Sequence, residues 1–136
     1  MAKYSRNSEL KLSTCHQDLQ TIFNYVVKHF DCTIVDGNRS EKRQNEAYDN
    51  GFSKVRYPNS KHNSLPSMAV DAVPYPINWR DHDRMRVFAG YVLGIAMMLK
   101  DYGAIESEIR WGGDWDRDTQ VRDNKFQDFP HFEIIN

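Results

Sequence analysis

The residue that most constrains this chain is Asp71. It stands inside the apolar run Met68-Ala69-Val70-Asp71-Ala72-Val73, which Pro74-Tyr75-Pro76 then breaks. The run reads as a short buried strand, and a carboxylate within it is costly to bury unless something positive meets it. A metal ion shared with His62, in the polar loop that begins at Ser60, is one economical answer. The rest of the chain then has to supply the missing ligand.

At 136 residues the chain suits a single domain with one real core. Its hydrophobic share of 40% and aromatic share of 12% are those of an ordinary soluble globular protein. With 18 basic against 19 acidic residues, the net charge is −1, and no strong general attraction to nucleic acid or an anionic membrane follows from that balance. Lys54, Arg56 and Tyr57 bring basic and aromatic character together, but they are too scattered to argue for nucleic-acid contact. No run approaches the roughly 18 apolar residues of a membrane span, and no signal-peptide core precedes Leu10. The expectation is a monomer made in the cytoplasm without a signal peptide, binding no nucleic acid and inserting in no membrane. Cys15 and Cys32 are expected as buried thiols rather than a disulfide. A zinc site built from Cys15, His16 and Cys32 lacks the close Cys-x-x-Cys pairs of structural zinc.

In chain order, residues 1–12 are polar and basic and read as a loosely held arm. From Ser13 to Phe30 the positions Leu19, Ile22, Phe23, Val26, Val27 and Phe30 follow one helical face, with Thr14 and Gln17 in the pattern of a capping box. His16 and His29 on this helix read as ordinary surface or half-buried histidines. Thr33–Asp36 is a short β-rich run ended by Gly37-Asn38. A polar helix spans Ser40 to Asn50, with Ser40 as N-cap and Gly51 as its stop. Arg39 leaves the strand end, where it suits either an anion-binding role or a structural salt bridge. The longest helix spans Asp81–Tyr102, with Phe88, Tyr91, Val92, Ile95, Leu99 and Tyr102 on its inner face and Met97-Met98 as core filling. Ile109-Arg110-Trp111 reads as a strand entering Gly112-Gly113-Asp114-Trp115-Asp116, and Arg117–Gln127 is polar and irregular. The closing residues alternate, placing His131 and Glu133 on one face and Phe132 and Ile134 on the other. The expected architecture is α+β, a small and mainly antiparallel sheet carrying the site and backed by the two long helices.

Catalytic zinc sites combine three protein ligands from His and Asp/Glu with a water. His62, Asp71 and His131 form such a set, and Asp128 is the leading proton acceptor, with Asp114 and Asp116 as alternates. Without a metal, Asp71 could instead pair with Arg39, and His131 could be a satisfied histidine at a strand end.

Four segments occur in a telling order: Gly37-Asn38-Arg39-Ser40, Ser60-x-His62 to Ala69-x-Asp71, Trp111-Gly112-Gly113-Asp114-Trp115, and Asp128-x-Pro130-His131-Phe132-Glu133. Together they resemble the zinc D-alanyl-D-alanine carboxypeptidase family, which includes vancomycin-resistance dipeptidases and the L-alanyl-D-glutamate endopeptidases used as phage endolysins. The resemblance covers roughly residues 30 to 136. It implies that His62, Asp71 and His131 bind Zn²⁺ and that Asp128 is the general base. It further implies that Arg39 polarises the scissile carbonyl, that Trp111 walls the cleft, and that Ser60 hydrogen-bonds within the metal loop. The implied substrate is the peptide stem of bacterial peptidoglycan, cut between L-Ala and D-Glu by a phage-type lysin that reaches the wall after another protein opens the membrane.

Three departures from the family pattern Ser-x-His-x-x-Gly-x-Ala-x-Asp stand out. Two extra residues separate His62 from Asp71, so the loop should bulge around Leu65-Pro66. Ser67 stands where glycine is expected. Asp128 replaces the glutamate of many members, as in the endolysin branch, which favours the endopeptidase. The rival readings are a D-Ala-D-Ala carboxypeptidase or dipeptidase, and a metal-bearing domain that binds wall peptides without cutting them.

Overall fold

The computed structural model describes residues 2–122 and 126–135, so residues 123–125 of the expected irregular stretch Arg117–Gln127 lie outside the described residues. In order, the elements are α1 (Arg6–Leu12), α2 (Gln17–Val26), β1 (Cys32–Asp36), α3 (Glu41–Asp49), a 3-10 turn (Lys61–Asn63), β2 (Ala69–Pro74), α4 (His82–Asp101), β3 (Ile109–Trp111) and β4 (His131–Ile134). The strands form one sheet in the order β1-β2-β4-β3, every neighbouring pair antiparallel. The α+β expectation holds.

Register divides the sheet into two chemically different faces. Val70 pairs with Phe132, Phe132 with Trp111, Ile134 with Ile109, and Ile34 with Ala72. All of these side chains enter the apolar core. Helices α2 and α4 cover that face, and the Phe132 ring meets Phe23 and Phe88 edge-on, with centroids 5.5 and 6.1 Å apart. The opposite face carries Asp71 directly across from His131, and Arg110 across from Glu133. Asp36 joins them through a bulge: the register shifts between Ile34 and Asp36, so that Asp36 rather than Val35 faces Asp71. One extra residue in β1 thereby turns an acid that plain alternation would aim at the core onto the polar face.

The loose arm is corrected. Residues 6–12 are helix α1, capped by Ser5, with Ser8 and Leu12 buried. Strand β1 is at the sheet edge, where unpaired backbone groups need partners. The Ile34 amide donates to Ser8 Oγ at 3.1 Å, and Tyr4 Oη donates to the Phe23 carbonyl at 2.6 Å.

The expected helix Ser13–Phe30 is shorter, since α2 begins at Gln17 and ends at Val26. The cap is His16, whose Nδ1 accepts from the Asp18 amide at 3.0 Å. Thr14 does not build the expected capping box, because its Oγ1 donates to the Lys11 carbonyl and accepts from the Asn38 amide.

Helix α3 matches expectation, with Ser40 as cap and Gly51 at φ +78° after it. Helix α4 starts at the Asp81 cap and stops before Gly103, also at φ +78°. Its inner face is Met85, Phe88, Ala89, Val92, Ala96 and Leu99. Tyr91, Met97 and Tyr102, expected inside, are exposed. Only part of the circumference of α4 meets the sheet and α2, and smaller residues fill the contact line.

Cys15 and Cys32 are free, buried thiols. Among the described residues, no helix is long and apolar enough to cross a membrane.

Candidate active site

Strands β2 and β4 bring Asp71 and His131 side by side, and the 3-10 turn delivers His62 to the same point. Ser60 caps this turn. Its Oγ accepts from the His62 amide at 3.2 Å, while its own amide donates to Asn63 Oδ1 at 2.9 Å. The Arg39 amide in turn donates to the His62 carbonyl at 2.7 Å. Within the loop between His62 and Asp71, the Leu65 side chain stands 76% exposed. Ser67 pins the base of that loop: it is buried, its amide donates to the Thr14 carbonyl, and its carbonyl accepts from the His16 amide.

Three ligand atoms converge. His62 Nε2 lies 3.2 Å from His131 Nδ1, and each lies 3.3 Å from Asp71 Oδ1. The remaining ring nitrogens point outward onto fixed acceptors: His62 Nδ1 on the Gly37 carbonyl at 2.7 Å, and His131 Nε2 on Glu133 Oε1 at 2.8 Å. With those outer nitrogens donating, each imidazole in its neutral form turns a lone pair inward, toward a carboxylate oxygen that has no hydrogen-bond partner among the described residues. Two lone pairs and an anionic oxygen facing one point call for a cation there. These three residues could hold a metal ion.

The surrounding electrostatics favour positive charge at that point. Burial works against ionised Asp71, but the imidazoles of His62 and His131 outweigh it and hold its pKa low. Burial also favours neutral His131, yet the adjacent Asp71 carboxylate and the hydrogen bond to Glu133 prevail and raise its pKa. For Glu133, burial is overcome by the hydrogen bonds from His131 and Arg110, which hold it down to about 2. Asp128 moves the other way, raised by burial and then by the charge of Asp71. Its Oδ2 is 3.9 Å from His131 Nδ1, beside the inner face of the ligand triangle.

Arg39 combines the two roles that its sequence position left open. Nη2 donates to Asp71 Oδ2 at 3.2 Å, Nε to Asp36 Oδ2 at 3.0 Å, and Nη1 to Gln44 Oε1 at 3.0 Å. It therefore splits the two oxygens of Asp71, holding Oδ2 and leaving Oδ1 to the inner triangle. Two of its five N–H donors remain beyond those three bonds, and the side chain lines the cleft.

That cleft, of about 450 Å³, has the site at its base. Arg39, Ser60, His62, Asp128 and His131 line it, together with Phe52 to Val55, Trp115 and Phe126.

A family model, phage L-alanyl-D-glutamate peptidase, matches residues 1–135. The chain belongs to this family. Among solved structures it is similar to the crystal structure of a Serratia marcescens L-Ala D-Glu endopeptidase, ChiX. The two are 26% identical, with a TM-score of 0.71 over 98% of this chain and 90% of that one. A search of curated proteins finds no match.

Against the family expectation, Trp111 does not reach the cleft. It is 3% exposed on the apolar face, with Nε1 donating to the Phe129 carbonyl at 2.7 Å and its ring packed under Gly113. The wall is Trp115 instead, its ring centroid 5.4 Å from that of His131 and 6.2 Å from stacked Phe126. A three-residue strand explains the exchange, since Trp111 still obeys the alternation of β3 while Trp115 lies beyond it. Gly112 is required for close approach, as a Cβ there would stand 2.2 Å from the Asp128 carbonyl oxygen.

Sequence reasoning also passed over Gln44 and Asp36. Gln44 is fully buried, and its Nε2 donates to the Val55 carbonyl at 2.7 Å and to Ser53 Oγ at 2.9 Å. No local pattern marks either residue. Glu133 was findable, because alternation already placed it beside His131.

Proposed function

We propose that this member of the phage L-alanyl-D-glutamate peptidase family is a zinc-dependent endolysin that hydrolyses the L-Ala–D-Glu bond of peptidoglycan stems. His62, Asp71 and His131 are the zinc ligands in this reading. The observation that carries it is the ligand triangle, 3.2 to 3.3 Å on a side, at the base of an open cleft. Donors about 2.0–2.1 Å from a tetrahedral zinc ion stand about 3.3 Å apart, so the side chains as placed fit that ion. One carboxylate with two imidazoles is a donor set of the catalytic zinc type, which keeps a position open.

When bound, the ion supplies Lewis acidity, which polarises a carbonyl and acidifies water. The chain supplies the rest. Asp128 Oδ2 accepts the proton of the attacking water and returns it to the leaving amine. The two uncommitted Arg39 N–H groups face developing negative charge on the scissile carbonyl oxygen, where a fixed donor in a water-poor site contributes most. Glu133 orients His131, as the Gly37 carbonyl orients His62, and both interactions strengthen the imidazoles as ligands. Trp115 and Phe126 form an aromatic wall for the stem peptide. In this reading the protein works as a monomer and meets the wall once the membrane has been opened.

The test is digestion of purified peptidoglycan, with identification of the newly formed termini by mass spectrometry and zinc measured by elemental analysis. New N-terminal glutamate, produced only by zinc-loaded protein, is the expected result. Free D-Ala as the main product would replace this reading with a carboxypeptidase. Peptidoglycan binding without any cleavage would replace it with a binding domain.

A further inference from the structure

The proposed bond places a specific demand on the cleft. A glutamyl residue that is amide-bonded through its nitrogen and one carboxyl group keeps the other carboxylate free, and this group is ionised at neutral pH. The leaving-group side of the substrate is therefore anionic beside the scissile bond. A cleft that selects this bond needs a cation whose hydrogen bonds are not already taken by the protein.

Among the described residues, three Lys and Arg side chains line the cleft: Arg39, Lys54 and Lys61. Arg39 is half-buried and bound to Asp36, Gln44 and Asp71, and its two remaining N–H groups serve the scissile carbonyl in the proposed reaction. Lys61 donates to the Ile134 carbonyl and lies 3.7 Å from Glu133. Lys54 differs. It is exposed, and among the described residues its Nζ rests on the Phe126 ring, whose centroid is 5.0 Å away. All three ammonium protons therefore remain available to a ligand.

Its position also follows from the fold. The residues on either side of Lys54 are held by buried Gln44, which bonds Ser53 Oγ and the Val55 carbonyl. The same Gln44 bonds Arg39, so one buried amide ties the Lys54 loop to the site. Phe126, which Lys54 contacts, stacks on Trp115, and Trp115 reaches His131. Lys54 thus stands at the far end of an aromatic wall that begins at a proposed metal ligand. Lys54 lines the same cleft as His62, Asp128 and His131, so for a carboxylate bound there a charged hydrogen bond from Nζ can replace its weaker contact with a ring face.

We propose that Lys54 is the specificity-determining cation of this cleft, pairing with the free carboxylate of the residue that donates the leaving amine. The inference rests on the L-Ala–D-Glu peptidase reading and names what that reading leaves open, the group that recognises the glutamate.

The experiment compares two soluble muropeptides that differ at the glutamate after the scissile bond: one carries the free carboxylate, the other its carboxamide. For wild-type protein the expected kcat/KM ratio favours the carboxylate by roughly ten- to a hundredfold. In Lys54→Ala the ratio falls toward one, in Lys54→Arg much of it returns, and in Lys54→Glu it inverts. Since the readout is a ratio within each variant, a general loss of folding or catalysis does not imitate it. A ratio unchanged in Lys54→Ala overturns the proposal. Wild-type protein that cuts both substrates equally also overturns it, while leaving the peptidase reading intact. Wild-type protein that cuts neither overturns the peptidase reading and this inference together.

Discussion

His62 and His131 meet through Nε2 and Nδ1 at 3.2 Å, and each turns its other ring nitrogen onto an acceptor supplied by the fold. The two rings use opposite nitrogens because they arrive differently, one from a 3-10 turn and one from a strand. Glu133 lies two residues from His131 on the same strand face, and Gly37 follows the end of β1. The orientation of both rings is therefore set by the fold itself.

Removing a ligand should remove the ion. His131→Ala and Asp71→Asn are expected to drop zinc, measured by elemental analysis, from about one ion per chain to background. Chelation of the wild-type protein should lower its melting temperature, because an ion that binds only the folded chain stabilises it. At free zinc a hundredfold above Kd that stabilisation is about 2.7 kcal/mol. A melting temperature indifferent to chelation would refute the site.

Asp128 should separate from the ligands. Asp128→Asn is expected to retain zinc and to lower kcat by about 10²- to 10⁴-fold, the usual scale for a lost general base. Loss of zinc from this variant would place Asp128 among the ligands instead.

Glu133 acts through His131. Glu133→Ala is expected to weaken zinc affinity by about 10- to 100-fold, measured by competition with a chelator. An affinity equal to wild type would show that the 2.8 Å contact does not tune the imidazole.

The two tryptophans should fail in different ways. Trp111→Ala empties part of the core and is expected to cost about 3–5 kcal/mol in denaturant unfolding. Trp115→Ala removes a cleft wall and should mainly raise KM. The reverse pattern would put the wall back at Trp111.

Stability should decline in alkali. Burial is the leading cause that pushes the Cys15 thiol up to about 12 and the Cys32 thiol up to about 11, from an ordinary 9.0. Above pH 9 the unfolded chain releases thiol protons that the folded chain keeps. Stability is thus fully present below that pH and falls as pH rises, by at most about 1.4 kcal/mol per pH unit for each thiol. Tyr4, also raised chiefly by burial, acts in the same direction above pH 10. Urea midpoints between pH 8 and 11 test this, and Cys32→Ala should flatten the slope. An unchanged midpoint across the range would contradict buried, protonated thiols.

Much of the molecule was legible in local patterns. Period-2 alternation placed His131 and Glu133 opposite Phe132 and Ile134, and capping chemistry set both ends of α3, from Ser40 to Gly51. The oddly placed carboxylate of Asp71 pointed to a cation before any partner was known. These features depend on neighbours in sequence, and the physics of pleat, cap and burial acts at that range.

Other features depended on distant segments meeting. The bulge that turns Asp36 to the site, the docking of α1 over the β1 edge, and the exchange of Trp115 for Trp111 all required the assembled sheet. Burial of Gln44 did too, since its partners come from Arg39, Asn63 and the loop at Ser53–Val55. By itself, the sequence determined which groups had to find partners, because an unpaired charge or backbone donor is costly wherever it is buried. Only the tertiary structure decided which partners they found, because that choice follows from register and loop path, and these are fixed by the packing of the whole core rather than by any one segment.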